Sequence, residues 1–209
     1  IRINTLKINK SELQKKLFEE NIPFQTIDQN EQALIIYKKN IFQSDLFKNG
    51  YFEMQDTASQ LVAPFLDLQS GMRVIDACAG AGGKSLHISS LLQNKGYVIS
   101  LDTEKWKLEE LKKRAKRNGV SIIETRWIEN NKVIKRLTES CDRLLLDVPC
   151  SGLGVLRRNP DAKWKLTKEF IEEVKKIQST ILDSYCKMLR PGGKMVYATC
   201  SILPSENQN

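Results

Sequence analysis

The chain has 209 residues, 41% apolar and 28% charged, a balance that excludes a disordered polypeptide and allows one sizeable domain, with or without a small companion. No apolar run reaches the ~18 residues of a membrane span and no basic–apolar–small leader opens the chain; starting at Ile1 and ending in a polar tail, it reads as a fragment. The formal charge of +8, from 33 Lys and Arg against 25 Asp and Glu, suits a polyanionic partner such as nucleic acid and suits a lysine-rich solvated surface equally well.

Residues 1–50 predict a small β-α-β-β unit. In IRINTLKI, Ile1 and Ile3 alternate with Arg2 and Asn4, which is a strand pattern. SELQKKLFEEN predicts a helix, with Ser11 as its N-cap and Leu13, Leu17 and Phe18 on one face, ended by Pro23. QTIDQ and ALIIY then read as strands. A unit this small needs a neighbour to complete its core. Residues 51–67 carry another helical pattern, TASQLVAPFL, which Pro64 kinks or ends.

From Met72 the rhythm becomes regular. RVIDAC, YVISLD, VSIIETRW, DRLLLDV and GKMVYAT read as strands; KSLHISSLLQ, TEKWKLEELKKRAKRN, NKVIKRL and TKEFIEEVKKIQSTILDSYCKML read as helices between them. Near-continuous apolar strands alternating with amphipathic helices predict an α/β fold, a mostly parallel sheet covered on both faces. Ligands of such open sheets sit beyond the carboxyl ends of the strands. No internal repeat or low-complexity linker interrupts the pattern.

VIDACAGAGGKSLHI is a strand, a glycine-rich turn and a helix start. Gly80, Gly82 and Gly83 allow close backbone approach to a ligand, and the free N–H groups of the helix start favour negative charge. A phosphate-binding P-loop would need glycine where Cys78 stands, and a strict G-x-G-x-x-G would need it at Ser85. Asp102 ends the next strand, about 20 residues on, where a carboxylate accepts hydrogen bonds from ribose hydroxyls. A glycine loop and a ribose acid without a pyrophosphate clamp suit an adenosine-type cofactor such as S-adenosylmethionine. The competing reading is a tight strand–helix turn beside an ordinary surface aspartate.

The five cysteines are odd in number and never spaced C-x-x-C, and there is one histidine, so neither a zinc constellation nor a disulfide framework is expected; reduced thiols in the cytoplasm are. LLLDVPCSG places Asp147 and Cys150 at the end of the fourth strand of the regular series, and VYATCS places Cys200 at the end of the fifth. Both thiols should face the rim that holds the glycine loop. Either alone is most simply a small buried hydrophobe, but as a pair beside a carboxylate and a methyl donor they point to methylation of an unreactive ring carbon. A thiolate adding at C6 of cytosine makes an enamine whose C5 attacks a sulfonium methyl, a carboxyl near N3 stabilises the charge, and a second thiol assists release.

With these residues in place, the chain resembles the RsmB/Nop2/Sun family of RNA cytosine-C5 methyltransferases. The resemblance runs over essentially the whole chain, through RINTLK, MQDTASQ, DACAGAGGKS, LLLDVPCSGLGVLRRNPDAKW and YATCSILPSEN, the last two being the most specific. It implies a Rossmann-like S-adenosylmethionine-dependent methyltransferase sheet over residues 51–209, cut short at its C-terminal end, behind an RRM-like α+β subdomain at residues 1–50 that contacts RNA. It further implies an RNA-binding helical domain ahead of residue 1 and more strands after PSEN. Cys200 would be the nucleophile, Cys150 would assist release, and Asp147 would contact both the cytosine and the cofactor. Cys78, Ala79, Gly80, Ala81, Gly82, Gly83 and Lys84, with Asp102 and Glu129, would bind S-adenosylmethionine. The family loop commonly reads C-A-A-P-G-G-K where this chain has Gly80 and Ala81, and Glu129 stands where the family normally has Asp. RRNPDAKW is closest to the bacterial 16S rRNA branch.

Arg157, Arg158, Lys163 and Trp164 follow the Pro-Cys loop, where guanidinium groups would hold phosphates and the indole would stack on a base; the alternative places Trp164 as an anchor in the core. Leu108, Leu111 and Ala115 form the core side of a Lys/Arg-rich helix whose charges read as a solvated face. His87 falls near the polar side of its helix, and Cys141 and Cys186 read as structural. The expectation is a cytoplasmic monomer acting on rRNA, without metal or membrane. The same chemistry on tRNA, and an RNA-binding protein without catalysis, are the alternatives; a DNA methyltransferase would use the Pro-Cys thiol itself as nucleophile.

Overall fold

In the computed structural model, which describes residues 1–208 and Lys165 through its backbone alone, the chain opens with β1 (Arg2–Ile3), far shorter than the alternation in IRINTLKI predicts. Asn4 stops it: the side-chain amide donates to the carbonyls of Gly50 and Asn118, at 2.7 and 3.0 Å, and the backbone turns. Helix α1 (Lys10–Glu19) follows, and its N-cap is Asn9, not Ser11. Asn9 has the extended backbone a cap requires; its Oδ1 accepts from the Glu12 N–H at 2.9 Å while the Glu12 carboxylate accepts from the Asn9 N–H at 3.2 Å. Ser11 already lies within the first turn. Leu13 and Leu17 are fully buried, whereas Phe18, turned about 100° around the helix from Leu17, is exposed.

Strands β2 (Phe24–Thr26) and β3 (Leu34–Ile36) form an antiparallel hairpin. After the short α2 (Asp45–Lys48), β4 (Phe52–Glu53) returns antiparallel to β1. The four strands thus pair two by two, joined by a single bridge between Arg2 and Ala33. Ile3, Leu13, Leu17, Leu34, Leu46 and Phe52 share one apolar cluster. The predicted helix over 57–66 is split into α3 (Thr57–Gln60) and a 3-10 turn at Ala63–Leu66, because Pro64 has no N–H to continue the α-helical ladder.

The regular part alternates as its periodicity predicts: β5 (Arg73–Asp76), α4 (Gly83–Leu91), β6 (Tyr97–Asp102), α5 (Lys105–Asn118), β7 (Ile123–Trp127), α6 (Asn131–Lys135), β8 (Cys141–Asp147), α7 (Ala162–Lys165), α8 (Lys168–Tyr185) and β9 (Leu189–Ala198). The five strands form one parallel sheet in the order β7-β6-β5-β8-β9. Alternate residues face opposite sides: Ile75, Ile99, Leu144 and Leu146 enter one apolar cluster, and Val74, Val98 and Leu145 the other. The order in which strands are added reverses at β5, with β6 and β7 laid down on one side of it and β8 and β9 on the other, so the switch point where a crevice opens at the carboxyl ends lies between β5 and β8. Arg190 to Gly193 bulge out of β9, which is an edge strand among the described residues, so Pro191 breaks no central ladder. Among the described residues no helix is long and apolar enough to cross a membrane.

The N-terminal region packs on the outer side of α4. Thr5 and Ser90 hydroxyls lie 2.7 Å apart, and His87 Nε2 lies 3.2 Å from Gln32 Oε1. This covering corrects the expectation for His87, which is buried rather than on a polar face, and burial holds its imidazole well below the usual pKa. A second tie is Glu53, 2% exposed, which accepts from Arg114 at 2.7 Å, from Asn118 at 2.5 Å and from Arg117.

Candidate active site at the carboxyl ends of the strands

The site begins with the turn between β5 and α4. Gly80 and Gly82 have positive φ, +54° and +86°, and a Cβ on Gly82 would run into the Leu111 side chain of α5. Gly80 and Gly83 instead face open space. Beneath the turn, Asp76 is wholly buried; its Oδ2 accepts from Ser85 Oγ at 2.6 Å, and Ser100 and Ser85 hydroxyls lie 2.9 Å apart. Burial pushes the Asp76 carboxyl up to about 7. Among the described residues Asp76 Oδ1 finds no partner.

Asp102, at the end of β6, fastens the turn from the other side. Its Oδ2 accepts from the Gly80 N–H and its Oδ1 from the Glu104 N–H, both at 2.8 Å. A cavity of about 570 Å³ opens there, with Cys78, Gly80 and Asp102 on one wall and Ile128, Pro149, Ile177 and Ile181 on another. The apolar slot, the acid with spare lone pairs and the glycine edge match the adenosine end of S-adenosylmethionine in chemistry, and the volume is that of an ordinary cofactor pocket. Glu129 is exposed and lies outside this lining, where its neighbour Ile128 stands. The Ala81 carbonyl is taken by Arg114 at 2.7 Å.

A second cavity of about 570 Å³ adjoins the first, and Asp147 lines both. Its wall includes Lys84, Cys150, Arg158, Thr199 and Cys200. Lys84 reaches from the first turn of α4 to Asp147 Oδ2 at 2.5 Å. Ala79 and Gly83 line a shallower extension with Lys84 and Asp147.

The two sulfurs lie 3.1 Å apart, and the Cys200 N–H also points at Cys150 Sγ, at 3.2 Å. The hydrogen bond from Cys150 stabilises the Cys200 thiolate and lowers that thiol to about 7; the same bond and burial push Cys150 up. The Gly154 N–H donates to the Cys200 carbonyl at 2.8 Å, and a Cβ on Gly154 would stand 2.7 Å from that oxygen, so the C-S-G-L-G spacing is what lets the two loops touch. Cys78, by contrast, is raised by burial above the ordinary thiol range, and the buried Cys141 donates to the Met188 carbonyl at 3.2 Å.

Arg158 lines the second cavity together with Asp56, its Nε 3.7 Å from Asp56 Oδ2. Arg157 and Lys163 are exposed. Trp164 is 79% exposed with the Lys163 ammonium 4.7 Å from its ring centroid, which overturns the alternative of a core anchor. Two acids escaped the sequence reading. Asp56 carries a local signal, an aspartate capping the helix start T-A-S-Q. Glu206, which is buried, lies within the motif YATCSILPSEN, but nothing local in that stretch gives its side chain a role. Among the described residues no group of three or more His, Cys, Asp and Glu side chains is placed to hold a metal ion.

The sequence pattern of the family described as 16S rRNA methyltransferase RsmB/F matches residues 63–209. The chain is 38% identical over 208 residues to the probable ribosomal RNA small subunit methyltransferase B of Bacillus subtilis, which covers 99% of this chain and 46% of that protein. It therefore spans about half the length of the curated relatives it matches. The crystal structure of PH0851 superposes with a TM-score of 0.94 at 32% identity, over 99% of this chain and 47% of that one. A methyltransferase homolog protein from Pyrococcus horikoshii superposes with a TM-score of 0.85 at 29% identity, over 99% and 66% of the two chains.

Proposed function

Because the chain belongs to the 16S rRNA methyltransferase RsmB/F family, we propose that it methylates C5 of a cytosine in RNA, 16S rRNA first among candidates, with S-adenosylmethionine and through a covalent bond from Cys200 to C6. The observation that carries this reading is the meeting of two thiols 3.1 Å apart with Asp147, at the junction of two cavities. One cavity suits the nucleoside end of the cofactor and the other a flipped-out base.

When bound, S-adenosylmethionine supplies an electrophilic methyl group to C5. The chain's own residues make C5 reactive. The Cys200 thiolate adds to C6, forming the C–S bond and moving the ring electrons toward C5 and N3. Asp147, held by Lys84, faces N3 and the developing charge there. Once C5 carries both hydrogen and methyl, loss of that proton returns the electron pair to the ring and expels the Cys200 thiolate. Cys150 assists this release by accepting that proton as a thiolate, its own proton having passed to solvent once Cys200 is bonded to carbon and no longer holds the shared charge. Asp102 and the 78–84 loop hold the cofactor, with Glu129 at most peripheral to it. Arg157, Arg158, Lys163 and Trp164 present charge and an open indole to the RNA, and residues 1–50 act as an RNA-contacting subdomain.

The test is a pair of substitutions assayed with RNA and cofactor. Cys150→Ser accumulates a covalent RNA–protein adduct, since attack survives and release fails; Cys200→Ser gives neither adduct nor product. Swapped outcomes exchange the two roles. No adduct from either variant, with no methyl transfer by the unaltered full-length protein, leaves only RNA binding.

A further inference from the structure

Each thiol is followed in the chain by a serine, and the two serines converge on one carboxylate. Glu206 sits in the short turn Pro204–Glu206, 3% exposed. Its Oε1 accepts from the Ser151 N–H at 2.8 Å and from Gln178 Nε2 at 3.0 Å. Its Oε2 accepts from the hydroxyls of both Ser151 and Ser201, which are themselves 2.8 Å apart. Gln178, on α8, also donates to the Pro149 carbonyl at 2.8 Å. The loop after β8, the loop after β9 and the long helix therefore meet at a single side chain.

Glu206 touches neither sulfur and lines neither cavity. It nevertheless joins the residue after Cys150 to the residue after Cys200. Burial works against its charge, but the bonds from Ser151, Ser201 and Gln178 outweigh that and hold its carboxyl below the usual range. A neutral amide would offer one acceptor oxygen and turn an NH2 group toward donors. A carboxylate accepts from all four groups at once, whereas with an amide the Ser151 and Ser201 hydroxyls would have to reverse and accept, giving up the charge-assisted bonds.

We propose, on the catalytic reading above, that Glu206 is a positioning residue: a carboxylate clamp that holds the loops after β8 and β9 together and so sets the spacing between Cys150 and Cys200. Two segments 50 residues apart in sequence have no covalent reason to keep their sulfurs in register. The polar node beside them supplies one, and of its members only Ser201 reaches the wall of the second cavity.

The test needs no RNA. Dibromobimane becomes strongly fluorescent only when both its arms have alkylated thiols, and peptide mapping identifies the pair joined. In the unaltered chain it bridges Cys150 and Cys200 rapidly. In Glu206→Gln that bridging slows by roughly 10-fold, the scale on which a small misplacement of reacting groups is felt. The pH midpoint for alkylation of Cys200 also rises toward the ordinary thiol value of about 8.5, as Cys150 no longer stays within reach. Circular dichroism and the melting transition confirm that the variant is folded. Ser201→Ala, which removes one donor, shifts both readouts in the same direction by less, and it decides the matter if Glu206→Gln does not fold. Unchanged bridging and an unchanged midpoint in a folded variant overturn the clamp, as does slow bridging in the unaltered chain. Rapid bridging in a chain that transfers no methyl group sinks the catalytic reading and leaves the clamp standing.

Discussion

The ammonium of Lys84 lies 2.5 Å from Asp147 Oδ2, fastening the first turn of α4 to the last residue of β8 where the two cavities meet. The side chains come from different segments of the glycine loop and the Pro-Cys motif, so the pair links the proposed cofactor and base sites. Lys84→Met removes the cation and leaves Asp147 unpaired. Methyl transfer to RNA falls by about 10²-fold, the usual cost of losing one preorganised electrostatic partner. Retention of full kcat and KM by the folded variant would reduce the pair to a structural tie.

The thiol pair predicts a pH profile. Cys200 is lowered to about 7 by the hydrogen bond from Cys150, so its thiolate fraction climbs as pH rises through that value. Alkylation of Cys200 by iodoacetamide follows the same curve, with its midpoint more than one unit below that of a free thiol near about 8.5. Cys150→Ala removes the donor and moves the midpoint up. A profile indifferent to Cys150 would contradict the assignment.

Asp76 predicts a dependence of stability on pH. Its carboxyl is raised by burial from 3.8 to about 7, so between these values the unfolded chain has released the proton and the folded chain still holds it. The unfolded state then binds fewer protons, and this group's contribution to stability falls as pH rises, levelling off above the folded value. Over that window the loss is on the order of a few kcal/mol. Asp76→Asn cannot ionise, so urea unfolding at about pH 5 and about pH 8 shows the variant gaining on the parent with rising pH. A constant difference between the two would place the Asp76 titration in its ordinary range.

Gly154 predicts a steric effect on the site. Its Cβ would stand 2.7 Å from the Cys200 carbonyl, closer than real Cβ atoms come, and the oxygen belongs to backbone that cannot swing away. Gly154→Ala therefore costs about 1–3 kcal/mol by overpacking and separates the two loops. Formation of the RNA–protein adduct, followed on denaturing gels in a Cys150→Ser background, slows with it. Adduct formation at the parent rate would show that the loops tolerate the shift.

Glu53 predicts how firmly the N-terminal region is attached. It is buried between that region and α5 and accepts from Arg114, Arg117 and Asn118. Glu53→Gln strands two guanidinium groups and destabilises the chain by about 3 kcal/mol, measured by urea unfolding. Hydrogen exchange quickens first at β1 and β4, whose pairing includes Arg2 with Glu53.

Much of the fold was legible because the signals are local. Runs such as RVIDAC and DRLLLDV read as strands, and the glycine run reads as a turn open to a ligand, which holds for Gly80 and Gly83, whereas Gly82 faces Leu111 of α5 instead. The arc from Leu108 through Leu111 to Ala115 reads as the buried face of α5, and all three are buried. Ser11 failed as a cap because a capping box depends on which residue holds an extended backbone, and Asn9 with Glu12 offered a second solution two residues earlier. His87 failed because its polar-side neighbours on α4 are covered by the N-terminal region, a surface that no periodicity within α4 encodes.

By itself the sequence determined the parallel sheet, the glycine turn and the placing of Asp102, Asp147, Cys150 and Cys200 at strand ends, since periodicity and chain direction decide which rim a residue occupies. Only the tertiary structure decided the 3.1 Å between the sulfurs, the Lys84–Asp147 pair and the convergence of Ser151, Ser201 and Gln178 on Glu206. Apart from Ser201 with Glu206, those relations join residues separated by tens of positions. Their distances follow from how loops settle against one another around a buried charge, and hydrophobic spacing along a chain carries no record of that.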